Sequence, residues 1–222
     1  MAAAQVLPLP FLLAGWLALG WLAASWVRSG DWRQLTDPAR LNLWLGATVV
    51  LLGLWQIRVG VGMSALMFHL YGMAALTLMV GFWRATLSGV LLLGVDTLLG
   101  YGELSMLGFQ ALLTVALPAW VSWNVYRIAD RRLPNHFFVY VLVCGFFGAA
   151  LAMALTALGL RMVLTLSPVY TLDGLFNPDT PYVILLASWA EAFTSGMVIT
   201  LMAAYRPDWL ETFDDARYVQ NK

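Results

Sequence analysis

Seven stretches of this chain stay apolar for roughly the thickness of a lipid bilayer: about 6–27, 41–57, 61–83, 85–101, 104–126, 136–160 and 181–204, with charged or turn-forming residues between them. A helix rises about 1.5 Å per residue and a bilayer core measures about 30 Å, so some 20 apolar residues make one crossing. Strands of a membrane barrel would instead alternate apolar and polar residues over about ten positions, and these runs do not. Only 11% of the residues are charged and 61% are hydrophobic, against about 25% charged in a soluble domain. Backbone groups in hydrocarbon must pair within their own segment, and helices do that. The expected fold is an all-α polytopic membrane protein in the lipid bilayer. It is a bundle of about seven transmembrane helices (6–7) in one domain, 1–222. The runs at 41–57 and 85–101 are short, and six spans plus a re-entrant segment is the competing count, with the crossing of 61–83 left open.

Charge in the connections tests the parity. Alternating connections place Arg28, Arg33, Arg40, Arg84, Arg127, Arg131, Arg132, Arg206, Arg217 and Lys222 on one side and only Arg58 and Arg161 on the other. Basic residues stay on the cytoplasmic side, so the amino terminus is expected outside and the carboxyl terminus in the cytoplasm. Trp26, Trp32, Trp44, Trp55, Trp83, Trp123 and Trp209 fall near run ends, where an amphipathic indole prefers to sit. Residues 28–40 read as a cytoplasmic loop and 167–180 as an outer loop. The tail 205–222 reads as cytoplasmic, either a docking helix or a solvated end. The first run, with no basic residue before it and no small-residue cleavage site after it, is expected to be a retained helix.

Several function classes drop out. Net charge is zero, which argues against nucleic acid. Cys144 is the sole cysteine, so no internal disulfide or thiolate cluster can form. No H-E-x-x-H, G-x-S-x-G or Cys-based redox motif occurs, and the chain is not expected to be an enzyme.

Ionisable groups inside a bilayer are costly and mark candidate sites. Counted from the outer ends of their runs, His69 and Glu191 lie about 14–15 Å deep and Asp96 and Gln110 about 8–10 Å. Four polar groups from four runs thus share the outer half of the membrane and are expected to line one outward-facing cavity, with Glu103 at its mouth. His69, Asp96 and Glu191 are the candidate metal ligands; Gln110, Met73 and Glu103 are expected to line the cavity. Met63, Met67 and Met73 near His69 make a soft donor set that suits copper(I), although a methionine stripe in a bundle is more often packing. His136 stands at the cytoplasmic surface, away from His69. Gly145, Gly148, Ala149 and Ala152 put small residues on one flank of the sixth run, and Ala14 and Ala18 do so on the first.

The stretch FHLYGMAALTLMVG carries His69, Gly72 and Gly81 at the spacing of a histidine followed by glycines three and twelve residues on, and GELSMLGFQALLTVALPAWVSW carries Gly102, Leu107 and Gly108. These segments resemble the CbiM/NikM family, the membrane permease or substrate-capture components of energy-coupling-factor (ECF) cobalt and nickel importers. FFVYVLVCGFFGAAL, EAFTSGM and YRPDWLETFDDARY resemble an uncharacterised branch of it, and the likeness runs from about 41 to 218. It implies seven helices, location in the bacterial cytoplasmic (inner) membrane, and partners comprising a transmembrane coupling subunit and ABC ATPases. It also implies a transition-metal ion such as nickel, cobalt, copper or zinc as the ligand. In the importers the metal sits between the free amino terminus, a histidine after the initiator methionine and a second histidine. Here alanine stands at position 2 and only the second histidine carries over, as His69. Gln110 stands where the family usually has asparagine. Any ion is therefore expected to recruit Asp96, Glu191 or a methionine.

No Walker A pattern, G-x-x-x-x-G-K-[ST], occurs, so energy for uptake would come from a partner. The competing reading is a structural or accessory subunit of a larger membrane complex with a degenerate metal site.

Overall fold

The structure, a computed structural model, describes residues 7–29, 36–57, 59–60, 67–68, 70–166 and 180–220. Among the described residues six helices are long and apolar enough to span a membrane. They are α1 (Leu9–Ser29), α2 (Pro38–Trp55), α3 (Met73–Leu98), α4 (Leu104–Arg132), α5 (Phe137–Val163) and α6 (Thr180–Tyr205). A two-residue antiparallel ladder, β1 (Val59–Gly60) on β2 (Met67–Phe68), joins α2 to α3. The bundle ends are named outer and inner after the distribution of Arg and Lys.

The helix α3 is not one rod. Gly81 has φ 79° and ψ 166°, a conformation essentially confined to glycine. A Cβ on Gly89 would lie 3.1 Å from the Met73 sulfur. On a straight helix residues 73 and 89 stand about 24 Å apart. The chain therefore reverses at Gly81, giving a short first limb, 73–80, and a long second limb, 82–98. This yields six helices by continuity and seven rods in space, and it restores the outside-to-inside parity of the charge count.

A continuous span over 61–83 does not form. Strand pairing at Met67–Phe68 and a left-handed Gly72 (φ 61°) delay the helix to Met73. The limb that remains is about 12 Å long, under half the apolar thickness of a bilayer.

Local chemistry sets the other boundaries. Pro38 stands at the first turn of α2, and the Asp37 side chain accepts from the Ala39 N–H at 3.0 Å. At the start of α5, His136 Nδ1 accepts from the Phe138 N–H at 3.2 Å, so this histidine is a helix cap. Pro118 has no N–H to give, and just before it α4 widens into i→i−5 bonding over Ala111–Ala116.

The apolar core gathers Trp44, Trp55, Met73, Leu78, Leu92, Val115, Tyr140 and Ile199. Indoles clip the elements together: Trp26 Nε1 donates to Thr86 Oγ1 (2.9 Å) and Trp44 Nε1 to Ser88 Oγ (2.7 Å). The expected small flank of α5 is real, with Ala149 and Ala152 buried and Gly145 against Ile199 and Gly196 of α6.

The tail is neither a long docking helix nor a solvated end. Leu210, Thr212, Phe213 and Tyr218 are buried, and the Phe213 and Tyr218 rings stack at 4.9 Å against the inner end of the bundle. Arg217 pairs with Asp130 at 2.7 Å.

Candidate functional site

Helices cut inside a bundle leave N–H groups without partners, and Gly72, at the head of the first limb of α3, has no side chain to cap it. The acceptor comes from α6. Glu191, 3% exposed, takes the Gly72 N–H on Oε1 at 2.7 Å and the Tyr71 N–H on Oε2 at 3.0 Å. Ser195 Oγ, one turn along α6, donates to Oε1 at 3.4 Å. A carboxylate at a helix N-terminus also meets the positive end of the helix dipole.

The other side of the same residues is held by α2. Trp55, fully buried, donates its indole N–H to the Tyr71 carbonyl at 2.9 Å and meets the Tyr71 ring edge-on. Its neighbour Gln56 donates to Asp96 Oδ1 at 3.0 Å, and Asp96 is 7% exposed at the outer end of α3. A bonded arc thus runs from Asp96 through Gln56 and Trp55 to Tyr71, Gly72 and Glu191. Its centre is the backbone immediately after position 69.

His69 itself lies outside the described residues, as does Met63. Asp96 and Glu191 are brought to one arc, where Asp96 accepts from Gln56 and Glu191 accepts from two backbone N–H groups and Ser195. Among the described residues no three of His, Cys, Asp and Glu stand close enough together to hold an ion.

The expected cavity lining is redistributed. Met73 is fully buried, its sulfur packed at Gly89 beside Val115 in the apolar core. Gln110 sits beside Thr97 and Gly102, its Oε1 3.7 Å from where a Gly102 Cβ would be. Glu103, half-buried, accepts from Ser105 Oγ at 3.4 Å. A groove of about 530 Å³ does reach the arc, at Gly72 and Ser195, but it runs between α2, α3 and α6 past Leu51, Leu54 and Leu76, and Met73, Glu103 and Gln110 do not line it.

Trp55, Gln56, Tyr71 and Gly72 are the site residues that reading the sequence for ionisable groups passes over. Gly72 alone carried a signal, through its fixed spacing to His69.

Two solved structures share this architecture. A transition metal transporter superposes with a TM-score of 0.69 at 20% identity, covering 92% of this chain and 92% of its own. A truncated transition metal transporter gives 0.61 at 20% identity, covering 89% and 90%. At that identity the likeness shows the fold. No curated protein matches the chain. Residues 3–209 match the family described as CbiM: Cobalt uptake substrate-specific transmembrane region, and the chain belongs to that family, a multi-pass membrane component of metal uptake and not an enzyme.

Proposed function

We propose that this subunit captures a divalent transition-metal cation of the cobalt and nickel kind from the outer side, at the segment headed by His69, and hands it inward with the help of a coupling subunit and ATPases in a bacterial inner membrane. Imidazole nitrogen suits cobalt, nickel, copper and zinc alike. Asp96 and Glu191, at the two ends of the bonded arc, are the carboxylates that could add an oxygen donor.

One observation carries the reading: Glu191 holds the Tyr71 and Gly72 N–H groups, two and three residues after His69, and Asp96 joins the same bonded arc through Gln56 and its neighbour Trp55. Discontinuous helices with capped ends are how transporters build sites in mid-bilayer. The absence of a Walker A pattern from the sequence supports partner ATPases.

The test is equilibrium dialysis of the purified protein in detergent against cobalt, nickel, zinc and copper(I). Cobalt or nickel should bind at one per chain, and His69→Ala should weaken that binding at least tenfold. Wild-type protein that retains none of the four metals, or a His69→Ala variant indistinguishable from it, refutes the proposal.

A further inference from the structure

The first limb of α3 is pinned at both ends by a single stretch of chain. At its outer end Glu191 takes the N–H groups of Tyr71 and Gly72. At its inner end the reversal at Gly81 deprives the carbonyls of Leu78 and Met79 of the N–H groups they would meet four residues on, at 82 and 83. The tail that follows α6 supplies them. Glu211 N–H donates to Met79 O at 3.0 Å and Thr212 N–H to Leu78 O at 3.4 Å. The Thr212 hydroxyl donates to the same Leu78 carbonyl at 2.8 Å and accepts from the Tyr140 hydroxyl at 2.7 Å. The Glu211 carboxylate pairs with Arg84, whose Nε holds the Val80 carbonyl at 2.6 Å.

Two turns of helix are too short to hold themselves together; isolated helices below about 12 residues are marginal. Where this limb sits is therefore decided by what grips its ends. The α6 helix and its strap, residues 191–212, supply both grips, and the limb between them is a strut about 12 Å long. Its outer tip is the backbone adjoining position 69.

We propose that Glu211 and Thr212, at the inner face, are positioning residues for the outer site, acting through the 73–80 strut, with Glu191 as the matching outer anchor. Loosening the strap frees the inner end of the strut, and the loosening appears at Tyr71 and Gly72. The same strut gives a cytoplasmic partner that displaces the strap a mechanical route to the outer segment. For its consequence in transport the proposal rests on metal capture near His69; the positioning itself does not.

The experiment is hydrogen exchange by mass spectrometry on the full chain in nanodiscs, without metal, comparing wild type with Thr212→Val, Glu211→Gln, Glu191→Gln and Arg217→Ala. Thr212→Val and Glu211→Gln remove a bond to the strut or its ion pair, whereas Arg217→Ala breaks a tail contact with Asp130 that does not touch the strut. Thr212→Val and Glu191→Gln should each speed exchange of the amides at 71–76 about tenfold, within the usual range for coupled sites, and Glu211→Gln should speed it less. Arg217→Ala should leave those amides at the wild-type rate. With cobalt bound, Thr212→Val should lower affinity several-fold while the visible absorption of the ion stays unchanged, since no ligand is lost. Faster exchange confined to the tail, or an equal effect from Arg217→Ala, overturns the proposal. If the wild type binds no metal, the capture reading fails and the exchange data still decide the strut. Should Thr212→Val not fold, Glu211→Gln and Glu191→Gln carry the same comparison.

Discussion

Gly81→Ala tests the reversal of α3, and with it the count of seven rods. At φ 79° and ψ 166° the glycine occupies backbone space that a residue with a Cβ enters at a cost of about 1–3 kcal/mol. A Cβ there would also come within 3.1 Å of Glu211 Oε2, so the strap must shift as well. Gly94, on the second limb of the same helix, is the control, because a Cβ there meets nothing within 4 Å. In ordinary helix, alanine is better than glycine by about 0.5–1 kcal/mol. The two variants should therefore differ by about 1.5–4 kcal/mol, with Gly81→Ala less stable than wild type and Gly94→Ala equal or more stable. That gap is roughly ten- to several hundred-fold in the unfolding equilibrium. Reversible unfolding of the detergent-solubilised protein in sodium dodecyl sulfate, followed by circular dichroism, reads it directly. If 73–98 were one straight helix, both substitutions would stabilise. Two midpoints displaced in the same direction would falsify the hairpin.

Two further outcomes follow from close contacts elsewhere. The α1 helix crosses α4 backbone to backbone: a Cβ on Gly108 would lie 2.7 Å from Gly15 C, so Gly108→Leu should cost at least about 1–3 kcal/mol, read as a lower thermal midpoint, while Gly20→Ala, in open space, should not. The phenol of Tyr218 is pushed above the ordinary 10.0 by burial and then by the Asp130 carboxylate, to which its hydroxyl donates at 3.3 Å. An acid with a raised folded pKa holds more protons folded than unfolded, so the tail's docking is constant below pH 10 and weakens as pH rises above it; limited proteolysis should show the tail cut faster there in wild type and with less pH dependence in Tyr218→Phe.

Much of this architecture was open to view in the sequence, because bilayer thickness and backbone pairing leave apolar runs few choices. Five helices fall within a few residues of the expected runs, and the reversal at Gly81 keeps 73–80 and 82–98 as separate rods. The late start of the helix at Met73 has a definite cause: Gly72 is left-handed, and its N–H is satisfied by a side chain 119 positions away. The position of Trp44 and Trp55 near run ends suggests interfacial anchors, but their indole N–H groups go to Ser88 and to the Tyr71 carbonyl inside the bundle. The spacing of Met73 to His69 suggests a shared helical face, but the helix does not begin until Met73 itself, whose side chain is buried in the apolar core. The tail's Leu210, Phe213 and Tyr218 are buried among acidic neighbours, and composition alone cannot tell such a strap from a solvated end.

Asp96 and Glu191, picked out in the sequence as ionisable groups in hydrocarbon, end on one bonded arc for a reason that bears on how they work. A carboxyl group in hydrocarbon needs donors, and a metal is only one kind of partner. The head of a helix broken in mid-membrane needs acceptors for its orphan N–H groups. Glu191 and the Tyr71–Gly72 backbone meet each other's need, so neither could be kept there without the other. Depth alone therefore marks a mid-span carboxylate as either a ligand or a cap. In this chain the glycine three residues after His69 favours the cap, because it supplies the break that such a carboxylate can close. A backbone segment anchored in this way is ordered before any ligand arrives, so under the capture proposed above a cation would not have to order Tyr71 and Gly72.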